Sequence, residues 1–270
     1  MIIDAHCHVW PDEMARRVLA DRPVGLDAVH DGTLDGLRRT MDAAGIDKAM
    51  TLAVANVARS VRRTNEFIGG VDRSRFIPFG TVHPELPVEE NLAALQDNGV
   101  VGVKLHPLFQ DVSFADARVR ELLTTLAEAG IPVIAHVGCG GDRAANERGA
   151  SRHLPGLVAG TPGLTFIAAH FGGYHDLDAA EEWSVGAGVH LETSWPPSVG
   201  ELPANRIREI IRRHGADRVV YGSDWPMTDP AAEIAAIRSL GLTPEEEAGV
   251  LGGNLARLLG ITETTRTVTA

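Results

Sequence analysis

Eight times along this chain a short apolar run is followed by a stretch with helical periodicity. The runs span 2–9, 46–54, 75–82, 100–107, 131–138, 164–170, 189–192 and 218–222. Apolar strands alternating with amphipathic helices call for a parallel sheet covered by helices. Eight such units in one chain predict a (β/α)8 TIM barrel, with functional groups on the carboxyl ends of the strands. The rival, a doubly wound open sheet, needs a glycine-rich phosphate turn after an early strand. Here the first run ends in His6-Cys7-His8 instead. With 270 residues, 44% of them hydrophobic, the chain can build one full core. The reading is a single domain over 1–261 and a frayed tail over 262–270.

Helix boundaries follow from caps and periodicity. Thr33 and Gly45 bracket a helix over 34–44. Val119, Leu122, Leu123 and Leu126 mark one over 116–129. Further helices are expected over 58–69, with Asn65 and Glu66 outward, and as a continuous piece over 244–259. Residues 9–33 read as a long polar loop, of the kind that serves as a lid. Residues 138–151, rich in Gly, Arg and Asn, read as a mobile loop. Pro78 removes a ladder donor, so 75–82 is expected to be irregular and edge-like.

A net charge of −11 argues against nucleic acid or an anionic membrane as partner. No apolar run approaches the ~20 residues of a membrane span. No leader is expected, because the first strand begins at Ile2. Cys7 and Cys139 make no disulfide framework, which suits a reducing, cytoplasmic setting. The cations are almost all arginine; lysine occurs only at 48 and 104.

Strand side chains alternate, so His6 and His8 share a face, with Asp4 ahead of them and Cys7 opposite. Two imidazoles so placed can bind one metal ion. Taken singly, His136 and His170 could be satisfied core histidines, and Asp224 a helix N-cap. Yet His106, His136, His170 and Asp224 all fall at or just past strand ends, the face on which a barrel gathers its chemistry. Lys104 shares the side of His106 and could neutralise an anionic substrate. Glu192 on the seventh strand, Arg143 and Arg152 past the fifth, and Cys139 are weaker candidates.

Taken together, Asp4-Ala5-His6-Cys7-His8, Gly102-Val103-Lys104-Leu105-His106-Pro107, His136 in Pro-Val-Ile-Ala-His-Val-Gly, His170 in Ala-Ala-His-Phe-Gly-Gly and Tyr221-Gly222-Ser223-Asp224-Trp225-Pro226 resemble the amidohydrolase superfamily. The closer likeness is to its amidohydrolase-related branch, which includes aminocarboxymuconate-semialdehyde decarboxylase and resorcylate decarboxylases. The ending Leu251-Gly252-Gly253-Asn254 matches as well.

The resemblance implies that His6, His8, His136 and Asp224 ligate one divalent metal, most often zinc. A second ion would draw on Lys104, carboxylated in some relatives, or on His106, His170 or Glu192. His170 and Asp224 would move protons, and Lys104, His106, Arg143 and Trp225 would meet the substrate. The activity implied is hydrolysis of an amide, lactone or ester carbonyl of a small polar substrate by metal-activated water. Decarboxylation of a carboxylated substrate uses the same ligands, and a two-iron oxygenase is a third reading. A homodimer is the assembly considered.

Overall fold

The computed structural model describes residues 1–20 and 26–262. Its eight strands are β1 (Ile3–His8), β2 (Lys48–Leu52), β3 (Phe76–Thr81), β4 (Gly102–Leu105), β5 (Val133–Ala135), β6 (Phe166–Ala168), β7 (His190–Glu192) and β8 (Val219–Val220). All neighbouring pairs run parallel, in sequence order. Backbone bonds from Ala5 N to Tyr221 O (2.9 Å) and from His8 N to Trp225 O (2.7 Å) join β1 to the β8 side. The eight parallel strands and the helices between them form the expected (β/α)8 barrel.

Two layers of core follow from side-chain alternation. Ile3, Ala5, Met50, Leu52, Phe79, Ile134, Ile167 and Val220 cluster together with residues of the last helix. Their sequence neighbours Ala49, Phe76, Val103, Leu105, Val133, Ala135, Phe166, Ala168 and Leu191 pack in the larger cluster against the surrounding helices. Lys104 stands between Val103 and Leu105 of that outer layer, and Glu192 follows Leu191 of it, so both project inward.

The β1 register carries an irregularity that sets the site. Asp4 pairs with Ala49 and Cys7 with Thr51, so β1 spends one residue more than β2 over the same stretch. Such a bulge re-aims the strand. Ile3 and Ala5 belong to the inner cluster but Cys7 to the outer one. Past the bulge, His6 and His8 are the residues that reach the barrel mouth.

The helices are α1 (Asp12–Ala20), α2 (Leu34–Ala44), α3 (Val61–Gly69), α4 (Val88–Gln96), α5 (Pro107–Gln110) and α6 (Ala117–Glu128) in the first half. The second half holds α7 (Leu154–Gly160), α8 (Leu177–Trp183), α9 (Ala204–His214), α10 (Pro230–Arg238), α11 (Pro244–Ala248) and α12 (Asn254–Leu259). Thr33 caps α2 through a bond from Gly36 N (2.9 Å), and Gly45 ends it with φ +72°.

Four expectations need correction. Residues 12–20 are helical, with Asp12 and Glu13 in the first turn of α1 facing the helix dipole. Asn65 is buried, not outward: its amide takes Thr81 N (2.7 Å) and gives to Thr81 O (3.0 Å), locking α3 to the end of β3. β3 is no edge; it pairs with β2 and β4. Pro78 is tolerated because its carbonyl accepts from Val101 N (2.9 Å), so its nitrogen faces residues preceding the β4 ladder, where no donor is needed. The helix over 244–259 is interrupted by a wide turn at Gly249–Gly253, where Asn254 Nδ2 bonds Ala216 O and Val219 O (both 2.7 Å). Nearly all of the expected tail, 263–270, lies outside the described residues.

Candidate metal centre

The barrel mouth gathers side chains from β1, β4, β7 and the loops after β5, β6 and β8. His6 Nε2 lies 3.1 Å from His8 Nε2. Asp224 Oδ1 is 3.4 Å from the first and 3.6 Å from the second. Nitrogens and oxygens bound tetrahedrally at 2.0–2.1 Å stand about 3.3 Å apart, so the three atoms fit the edges of one coordination shell. His170 joins them: one ligand atom each of His6, His170 and Asp224 lies within 4.8 Å of the others.

The neighbours of each histidine fix which nitrogen is free. His6 Nδ1 is 2.9 Å from Glu192 Oε2, so Nδ1–H donates to the carboxylate and Nε2 is left bare. Burial, then the nearby Lys104 charge, hold its pKa well below the usual histidine value, so the ring is neutral. His170 Nδ1 is 3.1 Å from Ser194 O, which spends its N–H and frees Nε2. Burial lowers its pKa as well.

Asp224 sits at φ +63° just past β8. The cap of the next helix is Asp229, whose side chain accepts from Ala231 N (3.0 Å). The Asp224 carboxylate therefore stays with the histidines. Beneath it, Asp4 ties β1 to the turn after β8. It accepts from Ser223 Oγ (2.6 Å), Ser223 N and His6 N (both 3.0 Å). Its burial pushes its pKa up to about 6.

Lys104 is fully buried, with Nζ 3.1 Å from His6 Nε2. Burial draws its pKa down, against the pull of Asp224 and Glu192, and burial drives Glu192 up. Glu192 lies on the Nδ1 side of His6 and also accepts from Ser194 Oγ (2.8 Å) and His170 N (3.3 Å). Its oxygens are thus engaged in orienting His6 and His170. Ser194, two residues on from Glu192, was not singled out from the sequence. Strand alternation from Glu192 was the available signal.

The remaining candidates scatter. His136 stands beside His170, ring centroids 4.8 Å apart, with Nε2 on Cys139 O (3.0 Å). Burial lowers its pKa to about 3. His106 stacks on His136 (4.4 Å) and on Phe109 (3.8 Å), and its Nδ1 accepts from Phe109 N (3.3 Å) as the cap of α5. Trp225 is fully buried, gives its indole N–H to Thr40 Oγ1 (3.3 Å) and stacks on His30, so its ring has no exposed surface to offer a substrate. Arg143 is exposed in the loop after β5, and Arg152 pairs with Glu147.

Comparison with known proteins bears on the family and the fold. The amidohydrolase family model matches residues 3–261, and the chain belongs to that family of metal-dependent enzymes. No curated protein sequence matches it. Among solved structures it is similar to 5-carboxyvanillate decarboxylase from Sphingomonas paucimobilis, at 17% identity and TM-score 0.72, covering 97% of this chain and 99% of that one. It is similar also to a dihydroxybenzoic acid decarboxylase from Polaromonas sp. with bound manganese, at 17% identity and TM-score 0.74, covering 97% of each chain. A third is a probable 2-pyrone-4,6-dicarboxylic acid hydrolase from Acinetobacter baumannii, at 16% identity and TM-score 0.67, covering 96% and 99%. At these identities the likeness bears on the fold. The family and the donor set together support a divalent metal. No helix among the described residues is long and apolar enough to cross a membrane.

Proposed function

We propose that the protein is a metal-dependent hydrolase acting on an amide, lactone or ester carbonyl of a small polar substrate. The observation that carries this is the convergence of His6 Nε2, His8 Nε2 and Asp224 Oδ1 at 3.1–3.6 Å. One ion, zinc in the first instance, would be held by these three and by His136, which gives up the Cys139 carbonyl to join them. A bound divalent ion lowers the pKa of water towards ~7 and polarises a carbonyl. Asp224 then accepts a proton from the attacking water. His170, neutral and with its N–H spent on Ser194, presents Nε2 as a hydrogen-bond acceptor beside the reacting atoms. Glu192 holds His6 in the tautomer that leaves Nε2 bare. The buried Lys104 supplies a cation for an anionic group of substrate or intermediate.

Decarboxylation is the second reading, favoured by the likeness to two decarboxylases. Both follow from the same residues, and product analysis separates them. Elemental analysis comes first, then a panel of lactones, amides and aromatic acids, scored for ring or amide opening against carbon dioxide release. Protein that holds no divalent ion, and gains no activity when one is added, would defeat both readings. A two-iron oxygenase would need Glu192 on a metal, whereas its oxygens serve His6, His170 and Ser194. Two free cysteines, one buried beside the site, support a reducing, cytoplasmic setting. A homodimer is tested by sedimentation.

A further inference from the structure

Glu233, in the first turn of α10, is 1% exposed and has no part in the chemistry described above. One carboxylate oxygen accepts from Ser198 Oγ (2.6 Å) and the other from Val199 N (3.0 Å). Ser198 Oγ in turn accepts from Gly200 N (3.1 Å), capping the short turn Val199–Glu201. Among the described residues no cation pairs with Glu233. Asp4 and Glu192 add like charge from the barrel, and Tyr221 is held neutral by its own burial. Burying an unpaired carboxylate is a costly way to hold a loop. Two donors that meet two oxygens nevertheless require one, because a glutamine would turn an NH2 towards one of them.

The loop so held runs from β7 to α9 across the barrel mouth. Between Thr193 and Ser198 no backbone–backbone hydrogen bond ties it among the described residues. At its near end Ser194 O takes the Nδ1–H of His170 (3.1 Å) and Pro196 O takes the hydroxyl of Tyr174 (3.0 Å). The Tyr174 ring packs on His170 (4.8 Å) and on Trp195 (5.4 Å). The carbonyls that set the His170 ring thus sit on a segment whose far end is fastened to Glu233.

We propose that Glu233 is a positioning residue: by fastening Ser198 and Val199 it keeps Ser194 O on His170 and Pro196 O on Tyr174. Ionised, Glu233 accepts both donors. Protonated, one oxygen becomes a donor facing a donor, and the loop loosens. Burial, against the two bonds, pushes its pKa up to about 7, so both states occur near neutrality and the fastening is complete only above that value. The proposal rests on the role given to His170 above, but its test reads the ring and the loop rather than turnover.

Wild type and Glu233→Gln, of measured metal content and with zinc added, are followed by NMR. The Val199 amide of wild type should titrate with a midpoint near 7, and that of Glu233→Gln should not. Two-bond 1H–15N correlations of the histidine rings should show His170 of wild type as a single tautomer, Nδ1 protonated, at about pH 8, and as a tautomer mixture at about pH 6, one unit to either side of the midpoint. Burial keeps that ring neutral throughout, so the change reports direction and not charge. Glu233→Gln should show the mixture at both values with unchanged circular dichroism. His175, against Tyr174 (3.9 Å), titrates in both proteins and cancels. The wild-type titration needs no variant to fold. The proposal is overturned if the wild-type Val199 amide does not titrate, if it titrates in Glu233→Gln as well, or if the His170 tautomer ignores both pH and substitution. Metal content and the Asp224→Asn variant judge the functional reading separately, without touching Glu233.

Discussion

His214, at the end of α9 and far from the metal centre in the fold, offers a quantitative test of the packing between α9 and β7. Its ring is 1% exposed. Nδ1 accepts from Gly186 N (3.1 Å) and Nε2 donates to Val189 O (3.0 Å), an arrangement only the neutral ring can satisfy. Burial, followed by the Arg218 charge, lowers its pKa from 6.5 to about 4. Above pH 6.5 the ring is neutral folded or unfolded, and its contribution is complete. Between 6.5 and 4 the unfolded chain binds a proton that the folded one refuses, so stability falls as pH falls. At 1.36 kcal/mol per pH unit the full loss is about 3 kcal/mol, of which about 2 kcal/mol appears between pH 7 and pH 5. Glutamine at this position can accept and donate as His214 does, but it does not titrate. Urea unfolding followed by circular dichroism should show wild type losing about 2 kcal/mol relative to His214→Gln over that interval. The histidines at the barrel mouth are common to both proteins and cancel. Parallel pH dependences in the two would refute the assignment of a neutral, doubly bonded His214.

Three further outcomes concern the site. Asp224→Asn keeps the shape and removes the basicity, so turnover on the true substrate should drop at least ~10²-fold while metal binding weakens without vanishing; near wild-type turnover would remove Asp224 from the mechanism. Lys104→Met tests metal number: if Lys104 only balances an anion, elemental analysis should find the metal content unchanged and KM raised, whereas a fall from two ions to one would mean that the lysine bridges them. Gly222→Ala would place a Cβ 2.3 Å from Glu192 Oε1 and 2.9 Å from His6 Cβ, forcing the carboxylate off His6. Loss of such an orienting group should weaken metal affinity by roughly 10–100-fold in a competitive chelator titration, with the fold retained; unchanged affinity would count against the orienting role given to Glu192.

The barrel itself was legible because its signal is local and repeated. Each strand is an apolar run, each helix shows its own period and stop, and parallel strands in sequence order follow from the alternation. The strand-end positions of His6, His8, Lys104, His136, His170, Glu192 and Asp224 were legible for the same reason, since alternation and the carboxyl-end rule act residue by residue. Other features depend on partners distant in sequence. Asn65 reads as a surface amide until Thr81 is brought beside it, and Pro78 reads as an edge until the β4 lead-in is seen to need no donor. Trp225 reads as a rim aromatic until Thr40 takes its N–H from behind.

The candidate metal centre divides in the same way. From the sequence came its ingredients and the strand ends they occupy. Its assembly was decided only in three dimensions, where the extra residue in β1 turns His6 and His8 into the mouth and Asp4 ties that strand to the Ser223–Asp224 turn. The tautomers too belong to the fold, because Glu192 and Ser194, far along the chain, take the N–H groups of His6 and His170 and leave the two Nε2 atoms bare. A side chain's type is local information; its protonated nitrogen and its direction are properties of what the closed barrel packs against it.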